Sequence, residues 1–529
     1  MKRGRGAISV LLILSLLATG GMRVLVQSEH DRILPRPRAA SRLSGMDSFA
    51  LGLLLGGLRG PLVMVLWSTS ENQKIAKDLE DIDTKIEWIR LLQPNFDSVH
   101  IFQMWNLAYN LSVMMANIQN KYAMILSGVD YGRSVLEDRP DNLNVLYQVG
   151  DIYFNKLGNP VGPPSERRYY NNRLAAETMA GHGKTSAQMA QSGGVRRTRH
   201  DVLLDANGLI LPALLAPRPQ SPALAAAGYS GADLQYLAPL NTPEAGGFPY
   251  GIHPLALAYN YYERAAVLQA ATGQRHLYIG DSVIDSRPAV ALKFWSENMW
   301  EHALRLESRV LGKALPDDLL ALEPVTASLP LNSPFIDASE ATRKQLQEAV
   351  FTYHRAADVC KLAVAKYQDH ITNAKYADSS DSYFSHRDTA LALAELLEAD
   401  GDYLSVMAAS APFSPPVVDK TRVDALRRSA GQHYRRSIEL YYAMILKYYT
   451  DTAVAAVVYP QVLGIRPDPS KPFDKAQMIQ NADPKRYAEI NKAVDSYMSA
   501  KKLPRDLGED VQEYLTYIHR AEARLKNLE

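Results

Sequence analysis

Residues 253–287 gather the side chains best suited to chemistry. His253-Pro254 opens the run Leu255 to Gln269, which carries Asn260. The polar turn Gly280 to Pro288, with Asp281, Asp285, Ser286 and Arg287, precedes a second apolar stretch bearing Leu292, Phe294, Trp295, Met299 and Trp300. Were the two helix starts to lie side by side, His253, Asn260, Asp281, Asp285 and Arg287 would converge. An imidazole within hydrogen-bond reach of a carboxylate is the arrangement that general acid–base catalysis needs. Carboxylates four apart beside an arginine also serve helix caps and ion pairs, and Ser286 suits a cap of the following helix. At this point both readings stand.

Other motifs carry less. Gly181-His-Gly-Lys-Thr185 has the ending of a phosphate-binding loop, but Thr178 stands where that loop needs its first glycine, and no strand pattern precedes it. The 12 histidines include no pair four apart and no His-Glu-x-x-His, so no zinc site is expected. No Gly-x-Ser-x-Gly elbow accompanies a triad. The single cysteine, Cys360, sits among alanines on an apolar helical face and reads as packing. Neither a cofactor nor a metal is expected.

Lys and Arg number 58 against 57 Asp and Glu, a net charge of +1, which leaves no global field to concentrate a nucleic acid. One cysteine cannot make an intrachain disulfide or a multi-thiolate centre. A chain of 529 residues, 47% of them hydrophobic, can fill more than one core.

The chain is expected to open with a leader. Lys2, Arg3 and Arg5 precede the uncharged run Ala7 to Met22. Residues 1–27 therefore predict a signal-anchor or a cleaved signal peptide. Residues 28–48 form a linker carrying Arg32, Arg36, Arg38 and Arg42. A second apolar run, Phe49 to Trp67, is interrupted by Arg59 and Gly60-Pro61, which favours a surface or packing helix over a second crossing. The expected address is a bacterial inner membrane, single-pass with the bulk extracytoplasmic, or the periplasm after cleavage.

Beyond the leader the apolar spacing is helical. Ile75, Leu79, Ile82, Ile86 and Ile89 recur at threes and fours. Gln93-Pro94-Asn95 then stops one helix before Phe102, Trp105, Leu107, Tyr109 and Leu111. Residues 49–158 read as a first helical block, and 159–247, broken by Pro160, Pro163, Pro164, Gly193-Gly194 and further prolines, as an irregular insertion with a basic cluster at Arg196 to His200. Residues 248–529 read as a second helical block, with stripes at Glu348 to Lys366, Leu391 to Tyr403 and Leu426 to Tyr449. It ends in a capping helix, Asp510 to Leu528, whose charges are expected on an outer face.

Pro140 followed by Leu146-Tyr-Gln-Val-Gly150-Asp-Ile-Tyr153 resembles the junction and first helix of a tetratricopeptide (TPR) repeat, and Pro94 with Ile101, Met104, Trp105 and Ala108 resembles a poorer copy. The interval from Pro94 to Pro140 exceeds that family's 34-residue period, so the array is degenerate. The resemblance implies an all-α, TPR-like stack of helix pairs with a concave face that holds a partner. Its tyrosines, 29 against 11 phenylalanines, would fill either that face or thin two-helix layers. The expected partner is a protein or peptide of the envelope, held at Trp105, Tyr109 and Tyr153, with the membrane engaged through the leader and no nucleic acid. The competing expectation is an envelope hydrolase working through the 253–287 cluster.

Overall fold

A computed structural model describes residues 96–159, 253–311, 340–379, 381–410, 420–503 and 509–529, with scattered positions in 62–92 and 162–174. The leader, the arginine linker and most of the 159–247 insertion lie outside the described residues. Among those described the chain is helical throughout, without a strand, and no helix is long and apolar enough to cross a membrane. Two units are distinguished, Met1–Ile152 and Tyr153–Glu529.

In the first unit, α1 (Asp97–Trp105) runs through a π-helical turn, Asn106–Leu111; α2 (Ile118–Asp138) and α3 (Leu143–Ile152) follow. Asn117 caps α2 by accepting from Asn120 N at 2.8 Å. Close approach occurs at two glycines of α2. A Cβ on Gly128 would meet Met104 O at 2.9 Å, and one on Gly132 would meet Met104 Cε at 2.5 Å and Val149 Cγ2 at 2.7 Å. The Asp138-Arg139-Pro140 junction is fastened to the start of α1. Asp97 accepts from Arg139, from Asn142 Nδ2 at 2.9 Å and from Asn144 Nδ2 at 2.8 Å. Burial pushes the Asp97 carboxyl up, but the hydrogen bond and charge of Arg139 outweigh it and hold the group below its ordinary value.

The second unit opens with the π turn Tyr153–Gly158, followed by α4 (Pro254–Thr272), α5 (Asp281–Val310), α6 (Glu340–Thr372), α7 (Asp381–Ser410) and α8 (Lys420–Met444). Each packs on the next, and the side-chain register makes every neighbour antiparallel. Gln269 of α4 meets Asp281 of α5, while His253, at the other end, stacks on Trp295. Ser282, Ser296 and Glu307 of α5 meet His370, Ala356 and Tyr353 of α6 in descending order. Lys361 and His354 of α6 both reach Glu398 of α7, and Ala392, Glu395 and Asp400 of α7 meet Ser437, His433 and Tyr434 of α8. Beyond α8 the chain turns through Ile445–Tyr449 into α9 (Thr452–Leu463), α10 (Lys475–Asn481) and α11 (Tyr487–Ala500), which share a small core of Tyr459, Ile479, Ile490 and Val494. The last helix, α12 (Glu509–Leu528), returns along α8, where Tyr441 faces Tyr514 and Tyr517.

Two sequence expectations are corrected here. The polar turn Gly280 to Pro288 is not a turn: α5 begins at Asp281 with Gly280 at its cap, and Pro288 lies inside the helix. Proline at that depth removes one backbone hydrogen bond, but Ile284, Ala289 and Leu292 on the same stretch are fully buried, and their packing holds the helix through it. Ser286 consequently caps nothing. Its hydroxyl lies 3.1 Å from both Val283 O and the Tyr383 hydroxyl, within hydrogen-bond reach of each. The second correction concerns α12, whose charges are not all outward. Arg520 and Arg524, one turn apart, point into the interior and are buried.

Candidate functional site

α4 ends at Gly273, whose left-handed φ of 68° closes the helix, and residues 273–280 bring the chain back as α5. So short a connection makes the two helices antiparallel, which places their starts at opposite ends. His253 and Gln269 are separated by sixteen helical steps, about 24 Å of rise. His253 therefore does not face Asp281 or Asp285. It caps α4, with Nδ1 accepting from Leu255 N at 3.1 Å, and its ring lies 6.4 Å from that of Trp295. Burial, with Arg167 nearby, pushes its pKa down to about 3, so it stays neutral.

The remaining expected residues scatter by role. Asn260 is buried in α4, with Nδ2 lacking a partner among the described residues. Asp281 accepts from Gln269 Nε2 at 2.8 Å and pairs with Lys375 Nζ at 2.9 Å. Arg287 sits 5.8 Å over the Phe154 ring. Tyr153 is fully buried against Tyr261, with centroids 5.9 Å apart, and belongs to the core. Trp105 and Tyr109 stay together in the first unit. Trp105 is 40% exposed and stacks on Tyr109 at 6.2 Å and 16°, and the Tyr109 hydroxyl donates to Asp151 Oδ2 at 2.8 Å.

Asp285 does find a histidine, though not the expected one. His370, at the end of α6 and fully buried, places Nδ1 2.6 Å from Asp285 Oδ2 and Nε2 3.3 Å from Ser282 Oγ. A carboxylate only accepts, so Nδ1 carries the hydrogen and Nε2 is left to accept from the serine hydroxyl. Tyr376 stacks on the imidazole at 4.9 Å and Tyr383 meets its edge at 4.3 Å, which fixes the ring. Ser282 lies within the Gly280 to Pro288 stretch, but His370 lies 85 positions from Asp285 and has no local signal. Only the α5–α6 register joins them.

A larger polar group lies deeper. Glu307 (α5), Asp400 (α7), Arg520 and Arg524 (α12) form a buried four-charge cluster. Arg520 Nε donates to Asp400 Oδ2 at 3.0 Å; the Tyr353 hydroxyl donates to Glu307 Oε2 at 2.6 Å and that of Tyr434 to Asp400 Oδ1 at 2.7 Å. Arg524 also covers the Tyr403 ring at 4.8 Å. Two positive and two negative groups balance, and every carboxylate oxygen accepts from an arginine or a tyrosine. The cluster therefore ties α12 to the stack, and its carboxylates have no oxygen left over for chemistry. Among the described residues no group of His, Cys, Asp and Glu could hold a metal ion.

No family model, curated protein or solved structure matches this chain.

Proposed function

We propose that the chain is a scaffold of the bacterial cell envelope, tethered to the inner membrane by its N-terminal segment, that captures a protein partner on a TPR-like stack of paired helices. The observation that carries this reading is the mounting of Trp105. A tryptophan left 40% exposed is held flat on Tyr109, and Tyr109 is itself held by Asp151. Such a side chain loses little rotamer freedom when a partner covers it, and aromatic anchors of this kind dominate binding energy. Val113 and Met114, further along the same stretch of chain, are exposed as well. An amphipathic helix or an extended apolar segment suits such a strip.

Serial antiparallel packing of α4 to α8 supports the stacked-pair part of the proposal, since each helix leans on its chain neighbours as repeats do. The units are larger than the family's, because α6 alone has 33 residues where a whole TPR unit has 34. The basic start and apolar run of residues 1–27 support the tether.

Affinity purification of the full chain from a detergent extract of its own membranes tests the reading. A partner retained by the wild-type chain and lost from Trp105→Ala is expected. Equal recovery by both would overturn the assignment of the strip. Deletion of residues 1–27 is expected to release the chain from sedimenting membranes, and an undiminished membrane fraction would overturn the tether.

A further inference from the structure

We infer that Ser282, His370 and Asp285 form a second, chemical site: a serine nucleophile with its base and orienting carboxylate, acting on small esters with an apolar acyl group. Three things place it beyond ordinary polar packing. First, the hydrogen-bond order runs from serine hydroxyl to Nε2, and from Nδ1 to carboxylate, the order in which an imidazole can take a proton from oxygen while its resulting charge is stabilised. The Ser282 contact at 3.3 Å is the loose end, as befits a pair that tightens when substrate arrives.

Second, the imidazole is walled off and the serine is not. His370 is closed in by Tyr376 and Tyr383, whereas Ser282 stands half-buried on the first turn of α5. The positive end of a 30-residue helix lies there, which favours negative charge developing on oxygen. Third, exposed apolar side chains cluster in the chain around the serine. Leu277 is 50% and Tyr278 67% exposed, and Val283 follows Ser282 directly and is also exposed. Apolar side chains carried on the same stretch of chain as the serine match a substrate whose acyl group is aliphatic or aromatic.

The step balances without a cofactor. Ser282 Oγ attacks the acyl carbon as its proton passes to His370 Nε2. The bond from acyl carbon to the alcohol oxygen then breaks, and the alcohol leaves with that proton. Water repeats the sequence: its proton goes to Nε2, its oxygen bonds the acyl carbon, and the serine oxygen is released as hydroxyl together with a carboxylic acid. Asp285 is a positioning residue throughout, because it touches only the imidazole.

The full chain in detergent, treated with an alkyl fluorophosphonate and separately with p-nitrophenyl butyrate, tests this. One phosphonate adduct is expected, located by tandem mass spectrometry on Ser282. Ser282→Ala removes a single half-buried hydroxyl, so it keeps its melting temperature while losing both the adduct and butyrate hydrolysis. Asp285→Asn is expected to slow both by about a hundredfold. An unmodified Ser282 in folded wild-type protein, or hydrolysis unchanged in Ser282→Ala, overturns the inference.

Discussion

Arg524 meets Asp400 at 3.0 Å with both side chains buried, joining the last helix to the centre of the stack across 124 positions of sequence. Taking ions out of water costs several kcal/mol each, so the arrangement depends on all four charges being present. Replacing Arg524 by methionine leaves Glu307 and Asp400 under-paired, and a loss of about 3–5 kcal/mol is expected in urea unfolding. A change below about 1 kcal/mol would mean that α12 is held by its apolar face alone.

Gly401 exists to seat His354. A Cβ at that position would approach His354 Cε1 at 2.7 Å, while the same ring pairs with Glu398 at 2.8 Å. Gly401→Ala is expected to destabilise by about 1–3 kcal/mol through overpacking. In a His354→Ala background the penalty should vanish, which a double-mutant cycle measures directly.

His354 and His433 make stability depend on pH. Burial lowers the His354 pKa, but the hydrogen bond and charge of Glu398, with Asp402 and Asp358, outweigh it and raise the group overall. His433 is raised chiefly by its hydrogen bond to Glu395, against burial, with Glu398 and Asp402 adding to the rise. A folded pKa above the unfolded value means that the stabilisation is complete below about 6.5 and is lost as pH climbs through the folded pKa. Glu398 acts from the other side. Burial raises it, but His354 and Lys361 bring it down to about 2, so its contribution holds at neutral pH and fades only as the solution is acidified towards that value. The melting temperature is expected to fall between pH 6 and pH 8, and the double variant His354→Gln, His433→Gln should flatten that slope. An identical slope would assign the pH dependence to other groups.

Cys360 should behave as a buried packing residue. Its thiol donates to Ala390 O at 3.0 Å, and burial pushes its pKa up to about 12. Thiol reagents at pH 8 are expected to modify it only as fast as the protein unfolds, so the rate should track denaturant. Rapid labelling of the native chain would contradict that packing.

Helix identity was legible wherever the apolar period was unbroken. Leu255 to Gln269, Glu348 to Lys366 and Asp510 to Leu528 all lie in helices, and His253-Pro254 marks the start of α4. Boundaries were legible only where punctuation was local. Gly280 to Pro288 reads as a polar turn before a helix, yet α5 already starts at Asp281, and burial of the residues around Pro288 carries it through the proline. The 253–287 cluster was half legible, since Asp285 does take a histidine but the antiparallel α4–α5 hairpin sends His253 to the far end. His370 and the inward arginines depend on which helices pack together, and a surface-like composition such as that of α12 conceals two buried charges. Spacing of four put Arg520 and Arg524 on one face, but only packing decides which way that face turns.

Site-specific photo-crosslinking in living cells reads whether the Trp105 strip holds a protein partner. A photoreactive amino acid at position 105 is expected to give one discrete adduct, and the same group at exposed Ala123 of the same unit should give none. No adduct at 105, or the same adducts from both positions, would mean that the strip holds no specific partner.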